Sequence, residues 1–213
     1  IAGKDDLAGG TWLGMNDAGL VAGILNRRGS LGPKEGYRSR GELPLEILSH
    51  VDAADAAEAL KDINPSAYRP FNIVFADNRD AYWLRLAETR WGPHAEIHTI
   101  PPGISLITSS DRNDISSARI RTYLPQFEKA EVPDPDKGSW LAWQTLFSSR
   151  MYDPNDGPEG AMMISTDAGF GTVSSSLIAL PSPNYVSTKH NVKPVYLFSD
   201  GAPAVSSYKP VDF

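Results

Sequence analysis

Residues 9–26, GGTWLGMNDAGLVAGILN, read as two short strands joined at a tight Asn16-Asp17-Ala18-Gly19 turn. Asn16 and Gly19 are turn residues that tolerate a positive φ, and this is a clear hairpin signal. Gly, Ala, Thr and Ser at alternate positions leave little side chain on one face of each strand, so a second backbone or a ligand can approach closely there. Two readings follow from that stripe: the floor of an enzyme site, or an ordinary core hairpin.

The remaining elements arrive in the same style. Residues 40–51 place Leu43, Ile47 and Leu48 on one stripe, and the Ala-rich residues 52–63 place Leu60 and Ile63 at helical spacing, which predicts two consecutive amphipathic helices. Asn64-Pro65 and Pro70 end them. Residues 71–77 and 80–87 are β-rich runs around Asn78-Arg79, a second hairpin, and 91–100 and 104–108 extend the strand series across Pro101-Pro102-Gly103. Helices are expected over 115–127 and 139–150, a polar loop over 153–160, and strands over 162–166, 171–180 and 195–198, with a turn at Asp200-Gly201. Strands delivered as hairpins, rather than singly between helices, imply mainly antiparallel sheets in a layered α+β fold.

Composition narrows the function classes. A chain of 213 residues, 41% hydrophobic and 22% charged, is long enough for one good core, and a single domain over 1–213 is expected. A net charge of −6 argues against general nucleic-acid binding. Arg27, Arg28, Lys34, Arg38 and Arg40 nevertheless form a local basic cluster opposed only by Glu35, either a solvated loop ahead of a helix or an anion-binding loop. The absence of cysteine excludes disulfides and thiolate metal sites within these residues without fixing the compartment. No apolar run approaches the roughly 20 residues of a membrane span, and a cytoplasmic location is expected.

Several blocks resemble a known family. Ala2-Gly3-Lys4-Asp5, Gly9-Gly10-Thr11-Trp12-Leu13-Gly14, Leu25-Asn26-Arg27-Arg28-Gly29-Ser30 and Arg38-Ser39-Arg40-Gly41-Glu42-Leu43 are similar to the NRDE family, whose eukaryotic members are the Transport and Golgi organisation protein two group. Residues 68–77 (YRPFNIVFAD) and 169–176 (GFGTVSSS) add supporting matches. That family resembles the N-terminal-nucleophile hydrolases of the bile-salt hydrolase and penicillin V acylase type. The resemblance implies a four-layer αββα sandwich of two mainly antiparallel sheets. It places the 40–63 helices on one outer surface and those near Ile115 and Trp143 on the other.

The resemblance also implies a Met-Cys start and an early Asn-Arg-Asp-Glu motif, and this sequence, opening at Ile1, contains neither. The expectation is an N-terminally incomplete domain, with an unpaired or exposed sheet edge beside the 10–26 hairpin. Ile1 has no side-chain heteroatom, so attack of the kind open to an N-terminal Cys, Ser or Thr is closed to it. Asn26 ends the second strand, where the resembled hydrolases hold an oxyanion with an Asn carboxamide; otherwise it simply ends a strand. Ser109 stands where relatives carry another Asn, and Val173 where they carry an Arg. A hydroxyl still donates one hydrogen bond, whereas an aliphatic group binds no carboxylate and orders no thiolate. Trp12, Arg27, Arg40, Asn72 and Thr172 are the candidate substrate-binding residues, and Trp12, Asn26, Asn72 and Ser109 are expected to line one cleft.

Other chemistry is weaker. As a strand, 94–98 puts His94, Glu96 and His98 on one face, a donor set for a metal, but no further ligand cluster accompanies it and no metal is expected. The His-x-Glu fragment lacks the paired cysteines of zinc deaminases. His50 and His190 fall at a helix end and in a loop. Adjacent Asp5 and Asp6 diverge on an extended segment, and Ser206-x-x-Lys209 lacks its companion motifs. Two functions remain. One is hydrolysis of linear amides with an upstream Cys as nucleophile, its α-amine as base and Asn26 at the oxyanion. The other is non-catalytic binding or trafficking of an amphipathic small molecule, such as haem or an acyl ligand. No cofactor is expected, and the oligomeric state is open.

Overall fold

A computed structural model describes residues 1–6, 9–188 and 192–212. His190 therefore lies outside the described residues. Strands β1 (Ala2–Lys4), β2 (Thr11–Met15), β3 (Val21–Asn26), β4 (Phe71–Ala76), β5 (Ala81–Thr89) and β6 (Gly92–Thr99) form one antiparallel sheet in sequence order. A second antiparallel sheet contains β7 (Ser174–Ala179), β8 (Val195–Asp200) and β9 (Lys209–Pro210). The helices are α1 (Glu42–Ile47), α2 (Ala53–Ala59), α3 (Ala118–Lys129), α4 (Leu141–Phe147) and α5 (Pro183–Thr188). The class is α+β with two antiparallel sheets, consistent with the two-sheet sandwich implied by the resemblance.

The turn of the first hairpin works through a side chain as much as through backbone freedom. Asn16 Oδ1 accepts the N–H groups of Ala18 and Leu20 at 3.0 and 2.9 Å, while Gly19 takes φ +85°. Asn16 Nδ2 donates to the carbonyls of Leu48 and His50 at 3.0 and 2.7 Å, capping the residues that follow α1. Among the described residues the hairpin itself is paired on both sides, and the open edge of the sheet nearest to it is the outer side of the short, largely exposed β1. β1 pairs with β2 on one side and β4 with β3 on the other, and Ile1 and Met15 exchange backbone bonds of 2.8 Å.

Alternation divides the six-stranded sheet into two unlike faces. Ala22, Phe71, Ile73, Phe75, Leu84 and Leu86 are fully buried on one of them, beneath Leu43 and Ile47 of α1 and Ala53, Ala56 and Ala57 of α2. Each large apolar side chain buried this way contributes about 1.5–3 kcal/mol. The opposite face carries Leu13, Gly23, Leu25 and Val74, all only partly buried, together with Asn72, Trp83 and Arg85.

Asp77 joins the β4–β5 turn to the start of α2. Its carboxylate accepts the N–H groups of Ala53 at 2.9 Å, Arg79 at 2.7 Å and Asp80 at 2.9 Å. Burial alone pushes this carboxyl up, but the backbone donors outweigh it and hold the pKa below the ordinary carboxylate value. A depressed folded-state pKa contributes stability that is full above the unfolded value of about 3.9 and disappears as pH falls through the folded value. Asp77→Ala is expected to cost about 1–2 kcal/mol at neutral pH. Urea midpoints of wild type and variant should converge as the solution is acidified; a gap that stays constant through the acid range would exclude this linkage.

Two expected strands are not strands. Over 104–108 the backbone is held by side chains: Leu106 N–H donates to Asn113 Oδ1 at 2.7 Å and Thr108 C=O accepts from Asn72 Nδ2 at 2.8 Å. Over 162–166 only an isolated Ser165–Gly171 bridge forms, because Thr166 and Thr172 side chains close a tight loop on Phe170 and Ile164. The strand expected over 171–180 begins at Ser174, and the helix expected from Ile115 begins at Ala118.

Candidate functional site

Asn72 is the best-connected polar side chain of the open sheet face. It is 0% exposed. Its Nδ2 donates to the carbonyls of Thr108 and Ser110, both at 2.8 Å, which draws the 108–111 segment onto the sheet. Its Oδ1 accepts from Arg27 Nη1 at 2.8 Å and from Trp83 Nε1 at 3.1 Å. All four bonds that a carboxamide ordinarily makes are thus satisfied within the protein. Asn72 positions other groups and has no free bond for a substrate.

The charge beside it belongs to Arg27, Arg85, Asp111 and Glu96. Arg27 Nη2 lies 2.7 Å from Asp111 Oδ1, with the Arg27 side chain 15% exposed. Arg85 Nε lies 3.2 Å from the same oxygen, and Arg85 Nη1 donates to Glu96 Oε2 at 2.9 Å. Cross-strand register explains the line: Leu25, Asn72, Arg85 and Glu96 are direct neighbours on four successive strands. Two guanidinium groups and two carboxylates balance formally, so the cluster presents paired donors without a large net charge.

His94, Glu96 and His98 do share one face, as their alternation implies. Glu96 Oε1 is 3.6 Å from His94 Nε2, and Glu96 Oε2 is 3.7 Å from His98 Nε2, the latter oxygen already engaged by Arg85. His98 also lies against Trp83, ring centroids 5.1 Å apart. Among the described residues no group of three or more metal-ligating side chains is arranged to hold an ion.

The candidate residues divide by location. Arg27 and Asn72 meet directly. Asn26 pairs with Phe71 and is exposed on the helix-facing side of the sheet, so its side chain does not join Asn72. Ser109 is exposed; its carbonyl accepts from Arg28 N–H at 3.3 Å, which brings it to the strand end that carries Asn26. Trp12 is 49% exposed and shares the face of Gly14 rather than that of Leu13; a Cβ on Gly3 would lie 2.5 Å from its ring. Thr172 bonds to Ile164, its Oγ1 accepting from Ile164 N–H at 3.0 Å. The single cleft expected for Trp12, Asn26, Asn72 and Ser109 is therefore not formed, because adjacent strand residues point to opposite faces.

Arg40 serves a different place. Its Nη1 donates to Ser30 Oγ at 3.0 Å and to the Pro70 carbonyl at 3.1 Å, and Ser30 Oγ in turn donates to the Arg27 carbonyl at 2.7 Å. Burial pulls the Arg40 pKa below its ordinary value, and the nearby Arg69 charge pulls in the same direction. Asp111 and Arg85 carry no sequence pattern of their own; only cross-strand register and the folded 108–111 loop bring them to Arg27.

Among the described residues no helix is long and apolar enough to cross a membrane. No curated protein matches the chain. The family model described as Transport and Golgi organisation 2 matches residues 1–188, and the chain belongs to that family.

Proposed function

We propose that this chain binds an amphipathic small molecule on the open face of the six-stranded sheet, without turning it over by its own residues. The observation that supports this most is the contrast between the two faces. One is sealed by α1 and α2, whereas the other leaves Leu13, Leu25 and Val74 half-buried beside the Arg27–Asp111–Arg85 cluster. An acyl chain or a porphyrin edge suits that floor, and an amide or carboxylate end suits the guanidinium groups at its border. Arg27 is the polar contact in this reading and Asn72 its positioning residue.

The experiment titrates haem and acyl-chain ligands into the 213-residue chain and assays a panel of N-acyl amides in parallel. Saturable binding without turnover is expected. Val74→Asp should weaken acyl-ligand binding about tenfold or more by placing a charge in the apolar floor. Absence of binding to every ligand, or amide turnover by this chain, would refute the reading.

A second reading, hydrolysis of linear amides, has one observation in its favour: Asn26 and Ser109 lie at the same end of the sheet. It needs a thiol from outside these residues, because the sequence holds no cysteine. Turnover by a protein extended upstream to a Met-Cys start, lost on Asn26→Ala, would establish it over binding alone.

A further inference from the structure

We propose that the second sheet carries a binding site for a small zwitterion, an α-amino acid with an apolar side chain. The site lies beyond the residues matched by the family model and is independent of the reading given above for the six-stranded sheet. A pocket of about 380 Å³ opens between β8, β9 and the loop that joins them, with Phe198, Asp200, Val205, Lys209 and Val211 in its wall. Small-molecule sites span roughly 300–1,000 Å³, so this one suits a small ligand. Register puts both charges on one side. Lys209 pairs with Phe198 across β8 and β9, and Asp200 lies two residues along β8 from Phe198, so the three side chains share a face.

Two serines and the backbone hold the pocket in shape. Ser199, 0% exposed, donates from Oγ to the Ser206 carbonyl at 3.1 Å, and Ser206 Oγ donates to the Asp200 carbonyl at 3.1 Å. The N–H groups of Val205 and Ser206 both reach the Ala202 carbonyl, at 2.9 and 3.1 Å, and Val211 N–H donates to the Tyr196 carbonyl at 2.8 Å. In Ser206-x-x-Lys209 the hydroxyl proton is thus committed to the loop, while the lysine lines the pocket. Asp200 and Lys209 are exposed, and neither charged group has an ion-pair partner among the described residues. A monoanion is attracted by Lys209 and repelled by Asp200, and a monocation meets the reverse; a molecule that carries an ammonium and a carboxylate satisfies both. Diagonal neighbours on paired strands lie roughly 7–8 Å apart, so the two ligand charges must be close together, as on one α-carbon. Phe198, Val205 and Val211 supply contact for an apolar side chain.

The test titrates leucine, N-acetyl-leucine and leucine amide into the full chain, by calorimetry and by following backbone amide resonances. Leucine should saturate one site and shift the amides of residues 198–211, and each blocked derivative should bind at least about fivefold more weakly. Lys209→Gln should weaken leucine about fivefold without weakening leucine amide, which has no carboxylate to lose. Asp200→Asn should weaken leucine to a similar degree without weakening N-acetyl-leucine, which has no ammonium. If either variant fails to fold, the three ligands compared on the unaltered protein decide the matter. Leucine binding that does not saturate, equal affinity for the three compounds, shifts centred away from residues 198–211, or a folded Lys209→Gln variant that loses leucine and leucine amide alike would each overturn the proposal.

Discussion

Asn72→Leu is expected to destabilise the protein by about 3–4 kcal/mol, a large value for a single polar substitution. The side chain is 0% exposed, and its removal strands four groups at once: the Thr108 and Ser110 carbonyls, Arg27 Nη1 and Trp83 Nε1. A typical hydrogen bond contributes about 1 kcal/mol net, but a buried partner left unsatisfied costs about 1–3 kcal/mol. Not all four costs add, since Arg27 keeps Asp111 and the released 108–111 segment can take up water. The consequence for binding follows from geometry. Asp111 is held next to Arg27 and Arg85 partly because Asn72 anchors the residues just before it, so the variant should also loosen the guanidinium pair at the border of the open face. Urea unfolding followed by tryptophan fluorescence measures the first effect. A double cycle with Arg27→Ala measures the second, and the two losses should be less than additive. A stability loss under about 1 kcal/mol for Asn72→Leu would mean the anchor is dispensable.

Asn72 also shows where reading the sequence stops. Its strand was legible because 71–77 is rich in apolar and aromatic residues and ends at an Asn-Arg turn, and β4 and β5 form within a few residues of that expectation. The face on which Asn72 lies was legible too, in principle. Period-2 alternation already separates Asn26 from its neighbours Leu25 and Arg27, so an oxyanion Asn26 and a ligand-binding Arg27 do not point to one face. What no local pattern contains is Asp111, which reaches Arg27 across 84 positions of chain only because Asn72 pulls the intervening loop down. The same physics explains the missing strand over 104–108. Its apolar alternation fits a strand, but Asn113 and Asn72 supply the hydrogen bonds that a neighbouring strand would have given. Short elements escaped for other reasons. β9 spans Lys209–Pro210 alone, too short for any periodicity. α5 begins at Pro183, a helix-start signal, but Pro181 and Ser182 before it give the segment a loop-like composition.

Gly10→Ala is expected to cost about 3 kcal/mol, the upper end for overpacking, with no contribution from backbone strain. A Cβ at Gly10 would lie 2.5 Å from the carbonyl carbon and 2.6 Å from the carbonyl oxygen of Gly41, and both are backbone atoms that cannot rotate aside. Gly41 must therefore move, and with it the 2.9 Å bond from Thr11 N–H to its carbonyl. Gly41 immediately precedes α1, so the displacement passes to Leu43 and Ile47, which are 1% and 0% exposed against the sheet. Gly9→Ala separates this from the ordinary cost of replacing a glycine. Gly9 has φ +73° and nothing within 4 Å, so that variant bears only conformational strain, about 1 kcal/mol. Thermal unfolding of the two variants, with amide exchange at Thr11, provides the comparison. Equal losses, or a Thr11 amide as protected in Gly10→Ala as in wild type, would contradict the steric account. If Gly10→Ala is the more damaging, the small residue at the start of this hairpin is explained by close approach of the chain's own backbone at Gly41.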